Sequence, residues 1–307
     1  MPDPFLTPIP PQPPVRDRVQ EILARIRRLE IRTRKAVAEL TAGAYHSVFK
    51  GRGMEFHEVR EYVAGDDVRA IDWNVTARLN RPFLKQYAEE RELAVLLVVD
   101  VSASGDFGST GRSKNEVAAE LAATLAFSAI RNGDRVGLLL YTDGEELFIP
   151  PRKGRRHVLR LIRDLLYHER RGHGTNLRGA LEQVMRLARR RTVVFLISDM
   201  LDEGYGRALA VAARRHDLTG IRILDPHELS LPPAGPVHLE DAETGELLTL
   251  TLAGPARLQE LALEAAALRL EQDRIFREAG VDLIDVTCGQ DPIRPLMRYF
   301  HTREKRR

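Results

Sequence analysis

The sequence predicts an α/β protein: a mainly parallel sheet with helices on both faces, preceded by an N-terminal helix and a small β-rich block. Three observations predict it. "LAVLLVVD" (93–100) and "TVVFLISD" (192–199) are near-continuous apolar runs of strand length, as expected of strands covered on both faces. Helix-patterned segments of roughly 10 to 20 residues separate successive strands, which implies right-handed crossovers. The chain of 307 residues is 43% apolar and 30% charged, a globular balance with enough length for one large domain plus extensions.

The elements follow in order. Residues 1–14 form a proline-rich lead of flexible or polyproline character. Between 15 and 42, Val19, Ile22, Leu23, Ile26, Leu29, Val37 and Leu40 fall at helical spacing among arginines and predict one long amphipathic helix. Residues 43–91 change character, with Gly43, Gly51, Gly53 and Gly65 breaking dense polar sequence; an irregular, β-rich block is expected there.

Residues 92–303 form the main domain. "SKNEVAAELAATLAFSAIRNG" reads as a helix capped by Ser113, "DRVGLLLYTD" and "ELFIP" as strands, and 155–167 as a helix. The glycine loop "RGHGTN" then enters a helix, and "GYGRALAVAARRH" and "DLTGIRILD" continue the alternation. At about 230–253, "GPVHLEDAETGELLTLTL" places Glu243, Thr244 and Gly245 between two alternating runs and reads as a β-hairpin insertion. A long helix, the strand "GVDLIDVT", a final helix and a basic tail at 304–307 complete the chain.

Composition sets bounds on function. A net charge of +3 with a pI near 9.1 does not demand a nucleic-acid partner. A single cysteine, Cys288, excludes an internal disulfide framework and a Cys-based zinc site, and fits a reducing compartment. The first residues lack the basic and apolar regions of a signal peptide, and no window holds the ~20 apolar residues of a membrane helix; a cytoplasmic protein without a direct membrane span is expected.

The candidate chemistry lies at the strand ends. Ligands of open parallel sheets sit at the carboxyl ends of strands, where strand order reverses. Asp100 and Asp199 end the two apolar strands, Ser102 and Ser104 follow Asp100 at a spacing of two, and the glycine loop brings Thr175 to the same region. Carboxylates and hydroxyls without nitrogen or sulfur suit a hard cation, Mg²⁺ first, with Mn²⁺ or Ca²⁺ accepting the same oxygens. The expected arrangement has the hydroxyls bound directly, at least one aspartate acting through water, and one position open. The plainer reading is that Asp100 caps the following segment and the serines satisfy a turn. The joint occurrence of all three parts in order favours the metal.

"DVSAS", "GTNLRGAL" and "VVFLISD" resemble the three parts of the metal-ion-dependent adhesion site of von Willebrand factor type A domains. "GRGMEFHEVREYVAGDDVRAIDW" and "TARLNRPFLKQYAEERELAVLLVVDVSAS" are similar to the bacterial domain-of-unknown-function 58 family, and "RRHDLTGIRILDPHE" and "LEDAETGE" extend that likeness over nearly the whole chain beyond the lead. The resemblance implies a Rossmann-like, von Willebrand factor type A-like domain with metal ligands Asp100, Ser102, Ser104, Thr175 and Asp199. It also implies a link to MoxR-type AAA+ ATPases, as adaptor or co-chaperone toward a client protein. The family often has methionine where this chain has Gly105, a position that is not a ligand. Many relatives carry transmembrane helices ahead of the first block, where no such apolar stretch occurs here.

Other residues have blander readings. Arg60, Asp66, Asp67, Arg69, Asp72 and Arg78 are expected to form an internal ion-pair and hydrogen-bond network around an irregular backbone, with Trp73 as its buried anchor. His157, His168, His173, His216 and His227 lack zinc spacing and read as surface or capping residues. "RRGHG" and "RLARRRT" read as solvated arginines favoured near helix ends. No Walker motif is present, so ATP chemistry would belong to a partner.

The expectation is therefore a metal-dependent protein–protein interaction module rather than an enzyme, which takes an acidic residue of its partner at the metal. The alternative is a metal-dependent hydrolase acting on phosphoryl groups, for which neither a G-x-S-x-G elbow nor an assigned base is present. A third reading is a structural scaffold with an empty acidic loop.

Overall fold

The computed structural model describes residues 24, 27–31, 33, 37–38, 55–63, 66–79, 81–88, 93–231, 236–251 and 254–306. The proline-rich lead and most of the expected N-terminal helix lie outside these residues; positions 27–31, 33 and 37–38 are helical.

The main body is a six-stranded sheet. Its strands are β3 (Ala94–Asp100), β4 (Arg135–Tyr141), β5 (Glu145–Arg152), β6 (Val193–Ser198), β7 (Asp217–Leu224) and β10 (Asp282–Thr287), in the spatial order β10-β7-β6-β3-β4-β5. All pairings are parallel except β4 with β5, which closes one edge as an antiparallel pair. β3 is central, pairing Val95–Val99 with β6 on one side and Ala94–Asp100 with β4 on the other.

Side-chain alternation along β3 divides the core into two layers. Val95, Leu97 and Val99 face α2 (Lys114–Arg131), α3 (Arg155–Leu166) and α8 (Ile293–Lys305), packing with Leu121, Leu125, Leu161 and Phe300. Leu96 and Val98 face the other layer, of α4 (Leu177–Leu187), α5 (Gly206–Arg215) and α7 (Pro255–Glu278), with Leu181, Leu209 and Phe276. Helix α2 starts where the sequence places its cap, with the Glu116 N–H donating to Ser113 Oγ at 3.2 Å. Helix α8 continues into the stretch that reads as a basic tail, ending at Lys305.

Two small antiparallel pairs stand apart from this sheet. β8 (Pro236–Glu240) pairs with β9 (Leu247–Thr251) in the interval that reads as a hairpin. β1 (Glu55–Glu61) pairs with β2 (Phe83–Ala88) and encloses a 3₁₀ turn, Val68–Ala70, and the short helix α1 (Trp73–Leu79). Local polar contacts hold that block. Arg60 makes a bidentate pair with Asp66 at 2.8 and 2.7 Å, Asp67 accepts from Arg69 N–H, and Asp72 accepts from Asn74 and Val75 N–H. Trp73, expected as the buried anchor, is 69% exposed; α1 buries no side chain, and Leu84 on β2 takes the inward position instead.

No helix among the described residues is long and apolar enough to cross a membrane.

Candidate metal centre

Strand order fixes where the centre sits. The chain leaves β3 toward β4 and β5, then returns to lay β6 on the other side of β3, so the carboxyl ends of β3 and β6 flank the reversal. Asp100 is the last residue of β3 and Asp199 follows the last residue of β6. After Asp199 the backbone turns through Met200, whose φ of 63° is the one positive value among described non-glycine residues. A side chain in that region costs conformational energy, and such strain gathers at functional sites. Here Ser198 Oγ accepts from Met200 N–H at 3.0 Å and Gln272 Nε2 donates to Met200 O at 2.9 Å, which hold the turn.

Four of the five expected ligands meet. Ser102 Oγ lies 3.0 Å from Ser104 Oγ, and Ser104 Oγ donates to Asp199 Oδ2 at 3.0 Å. Asp100 accepts from Ser102 N–H at 2.9 Å and from Ser198 Oγ at 2.8 Å. The first of these is the contact of a turn-capping aspartate. The serine hydroxyls do not close the turn: Ser102 precedes a 3₁₀ turn, Ala103–Asp106, without capping it, and both hydroxyls lie on the path to Asp199. Between these groups is a cavity of about 10 Å³, also lined by Lys114, Asn115 and Ser198, with room for one water-sized species.

Burial and like charge meet at Asp100. Burial and the neighbouring Asp199 charge push the Asp100 carboxyl up to about 7, against the hydrogen bonds from Ser102 and Ser198. Two carboxylates and two hydroxyls around a water-sized space are an oxygen-only donor set of the kind a hard divalent cation takes, so the residues fit such an ion. Among the described residues no group of three or more His, Cys, Asp or Glu side chains is placed to hold a metal; hydroxyls supply the remainder of this set.

Thr175 stands outside this cluster. Its loop joins the 3₁₀ turn through Ala103 N–H, which donates to His173 O at 3.0 Å, but the Thr175 hydroxyl donates to Glu243 Oε1 at 2.8 Å on the turn between β8 and β9. The loop is pinned from below by Glu146 on β5. That carboxylate accepts from Arg171 and Gly172 N–H and from Thr142 Oγ1, and lies 3.0 Å from His168 Nε2. A Cβ at Gly172 would stand 2.1 Å from Asp143 Oδ1 and 2.3 Å from Thr142 Oγ1, so any side chain there would displace both. Burial works against the Glu146 charge, but these hydrogen bonds outweigh it and hold its carboxyl down at about 2.

The sequence reading missed Lys114 and Glu228. Lys114, 3% exposed, donates to Asp199 Oδ2 at 2.7 Å and to Glu228 Oε1 at 2.5 Å. Its burial had a signal: Lys114, Val117, Leu121 and Leu125 share one helical stripe, so the lysine sits on the buried face of α2. Glu228 lacked one. It is placed by the short helix α6 (Pro226–Leu229), where it closes a capping box with Asp225. His216, expected as a surface or capping residue, is the C-cap of α5 but is 1% exposed, and neither ring nitrogen has a hydrogen-bond partner; burial first, then Arg215 and Arg191, lowers its pKa and favours the neutral ring.

Fold and cleft together define a mixed α/β protein with a hydroxyl-and-carboxylate centre at the reversal of strand order. The chain belongs to the family described as protein of unknown function DUF58, whose profile matches residues 58–269. It is 33% identical over 288 residues to an uncharacterized protein of Mycobacterium tuberculosis, covering 93% of this chain and 90% of that one. Among solved structures it is similar to an aerotolerance-related membrane protein from Bacteroides fragilis (17% identity, TM-score 0.46, 70% of this chain and 100% of that one). It is also similar to the conserved hypothetical protein BatB from Bacteroides thetaiotaomicron (16% identity, TM-score 0.45, 69% and 99%).

Proposed function

We propose that this protein is a metal-dependent binding module of von Willebrand factor type A-like, Rossmann-like design, acting as adaptor or co-chaperone for a MoxR-type AAA+ ATPase. The observation that carries the metal reading is the continuous chain Ser102 Oγ, Ser104 Oγ, Asp199 Oδ2, with steps of 3.0 Å, beside the buried Asp100 carboxylate. Ser102, Ser104, Asp100 and Asp199 would hold Mg²⁺, or Mn²⁺ in its place, and Thr175 would join them by giving up Glu243. When bound, the ion offers an open position that a partner's carboxylate completes, a contact held by both charge and direction. The chain's own part is to preorganise the donors: Ser198 and the Ser102 N–H orient Asp100, and Leu201 N–H, just past the turn at Met200, donates to Asp199 Oδ1 at 3.1 Å. The MoxR-type partner is supported by the sequence resemblance alone.

A pull-down with a MoxR-type ATPase of the same cell tests the reading. Capture that needs Mg²⁺ and is lost in Ser102→Ala/Ser104→Ala is the expected result; capture indifferent to both would move the interface elsewhere.

A further inference from the structure

The ammonium of Lys114 and the hydroxyl of Ser104 donate to the same oxygen, Asp199 Oδ2, at 2.7 and 3.0 Å. The lysine therefore reaches a carboxylate that the metal reading counts as a ligand, inside the same cavity. Burying an ammonium is costly and persists only where carboxylates compensate it. The compensating groups come from segments that follow neighbouring strands, Asp199 directly after β6 and Glu228 on α6 after β7. Fold alone gives no reason for a charge at this position, since an apolar side chain would continue the stripe of Val117, Leu121 and Leu125.

We infer that Lys114 is a tethered cation that stands in for part of the divalent charge when the cleft is metal-free and competes with the ion for Asp199. It thereby sets the metal affinity of the centre. This inference rests on the metal-binding reading and assigns its regulation to a residue of α2. The physical consequence is direct: an incoming divalent ion must approach a fixed positive charge and share a carboxylate with it, so removing that charge tightens binding. In the metal-free protein the same removal leaves the buried Asp199 and the half-buried Glu228 without their counter-charge, so the variant depends on metal for stability where the wild type does not.

Calorimetric titration of Mn²⁺ into the full chain tests this with wild type, Lys114→Gln and Lys114→Gln/Ser104→Ala. The glutamine keeps a polar donor on α2 without the charge. The inference expects at least tenfold tighter binding by Lys114→Gln, loss of that gain when Ser104 is also replaced, and a larger Mn²⁺-induced rise in melting temperature than in wild type. Should Lys114→Gln fail to fold without metal, Lys114→Met/Glu228→Gln removes the stranded second carboxylate and carries the same comparison. Equal or weaker binding by the folded variant overturns the inference and leaves the metal reading standing. Absence of binding by wild type and variants alike overturns both.

Discussion

Thr175 Oγ1 donates to Glu243 Oε1 at 2.8 Å, tying the glycine loop to a turn 68 residues further along the chain. The hydroxyl is thus engaged by a carboxylate of its own chain. If it turns to the metal on binding, Thr175→Val lowers Mn²⁺ affinity about tenfold, while Glu243→Ala leaves it unchanged or slightly raised. Calorimetry on the two variants separates this from a pure anchoring role, in which Thr175→Val would leave the affinity untouched.

Asp100 is expected to be indispensable for metal but not for folding. Asp100→Ala leaves the Ser102 N–H and the Ser198 hydroxyl buried without their acceptor, at a cost of about 1–3 kcal/mol. Urea denaturation measures that loss, and pull-down of the folded variant should show no Mg²⁺-dependent capture. Capture equal to wild type would remove Asp100 from the mechanism.

Glu146 gives the protein an acid-sensitive anchor. Its folded pKa of about 2 lies below the ordinary 4.5 of a glutamate, so the unfolded chain binds the proton more readily. The stabilisation is complete above about pH 4.5 and is lost as pH falls toward 2. Its size is roughly 3 kcal/mol. Glu146→Gln should lower stability at neutral pH by about that amount and flatten the stability profile between those two pH values, read from urea midpoints.

Arg222 supplies the control. Its guanidinium is 1% exposed and ties β7 to β10 and α7 through Asp285 (2.8 and 3.0 Å), Asp273 (2.8 Å) and Gln272 (2.8 Å). Removing it strands partners that are only partly exposed, and Arg222→Ala should cost roughly 2–4 kcal/mol. Mn²⁺ affinity, measured well below the unfolding midpoint, should change far less than in the cleft variants, because the network reaches the cleft only through Gln272, whose own bond to Met200 O the substitution leaves in place.

What was legible in the sequence follows from how local each determinant is. β3 and β6 were readable because both faces of a central parallel strand are buried, which writes an uninterrupted apolar run, and the aspartates and serines were readable because they interrupt it. Strand β5 was readable too, but its antiparallel pairing at the sheet edge, like the exposure of Trp73, depends on which surfaces remain uncovered after packing, and residue type does not encode that. Lys114 was half legible: helical period puts it on the buried stripe, but only the arrival of Asp199 and Glu228 from elsewhere in the chain makes a buried lysine tolerable. The placement of Thr175 against Glu243 depends on how the hairpin docks, a long-range contact with no local signature.

The most direct measurement is a crystal structure of the protein grown with Mn²⁺, with anomalous differences recorded at the manganese edge. One strong peak is expected in the cleft at about 2.1–2.3 Å from the Ser102 and Ser104 hydroxyl oxygens, with Asp100 and Asp199 bound directly or through water. A saturating Mn²⁺ concentration that leaves the cleft without a peak, with the Lys114 ammonium still on Asp199, would contradict the metal reading.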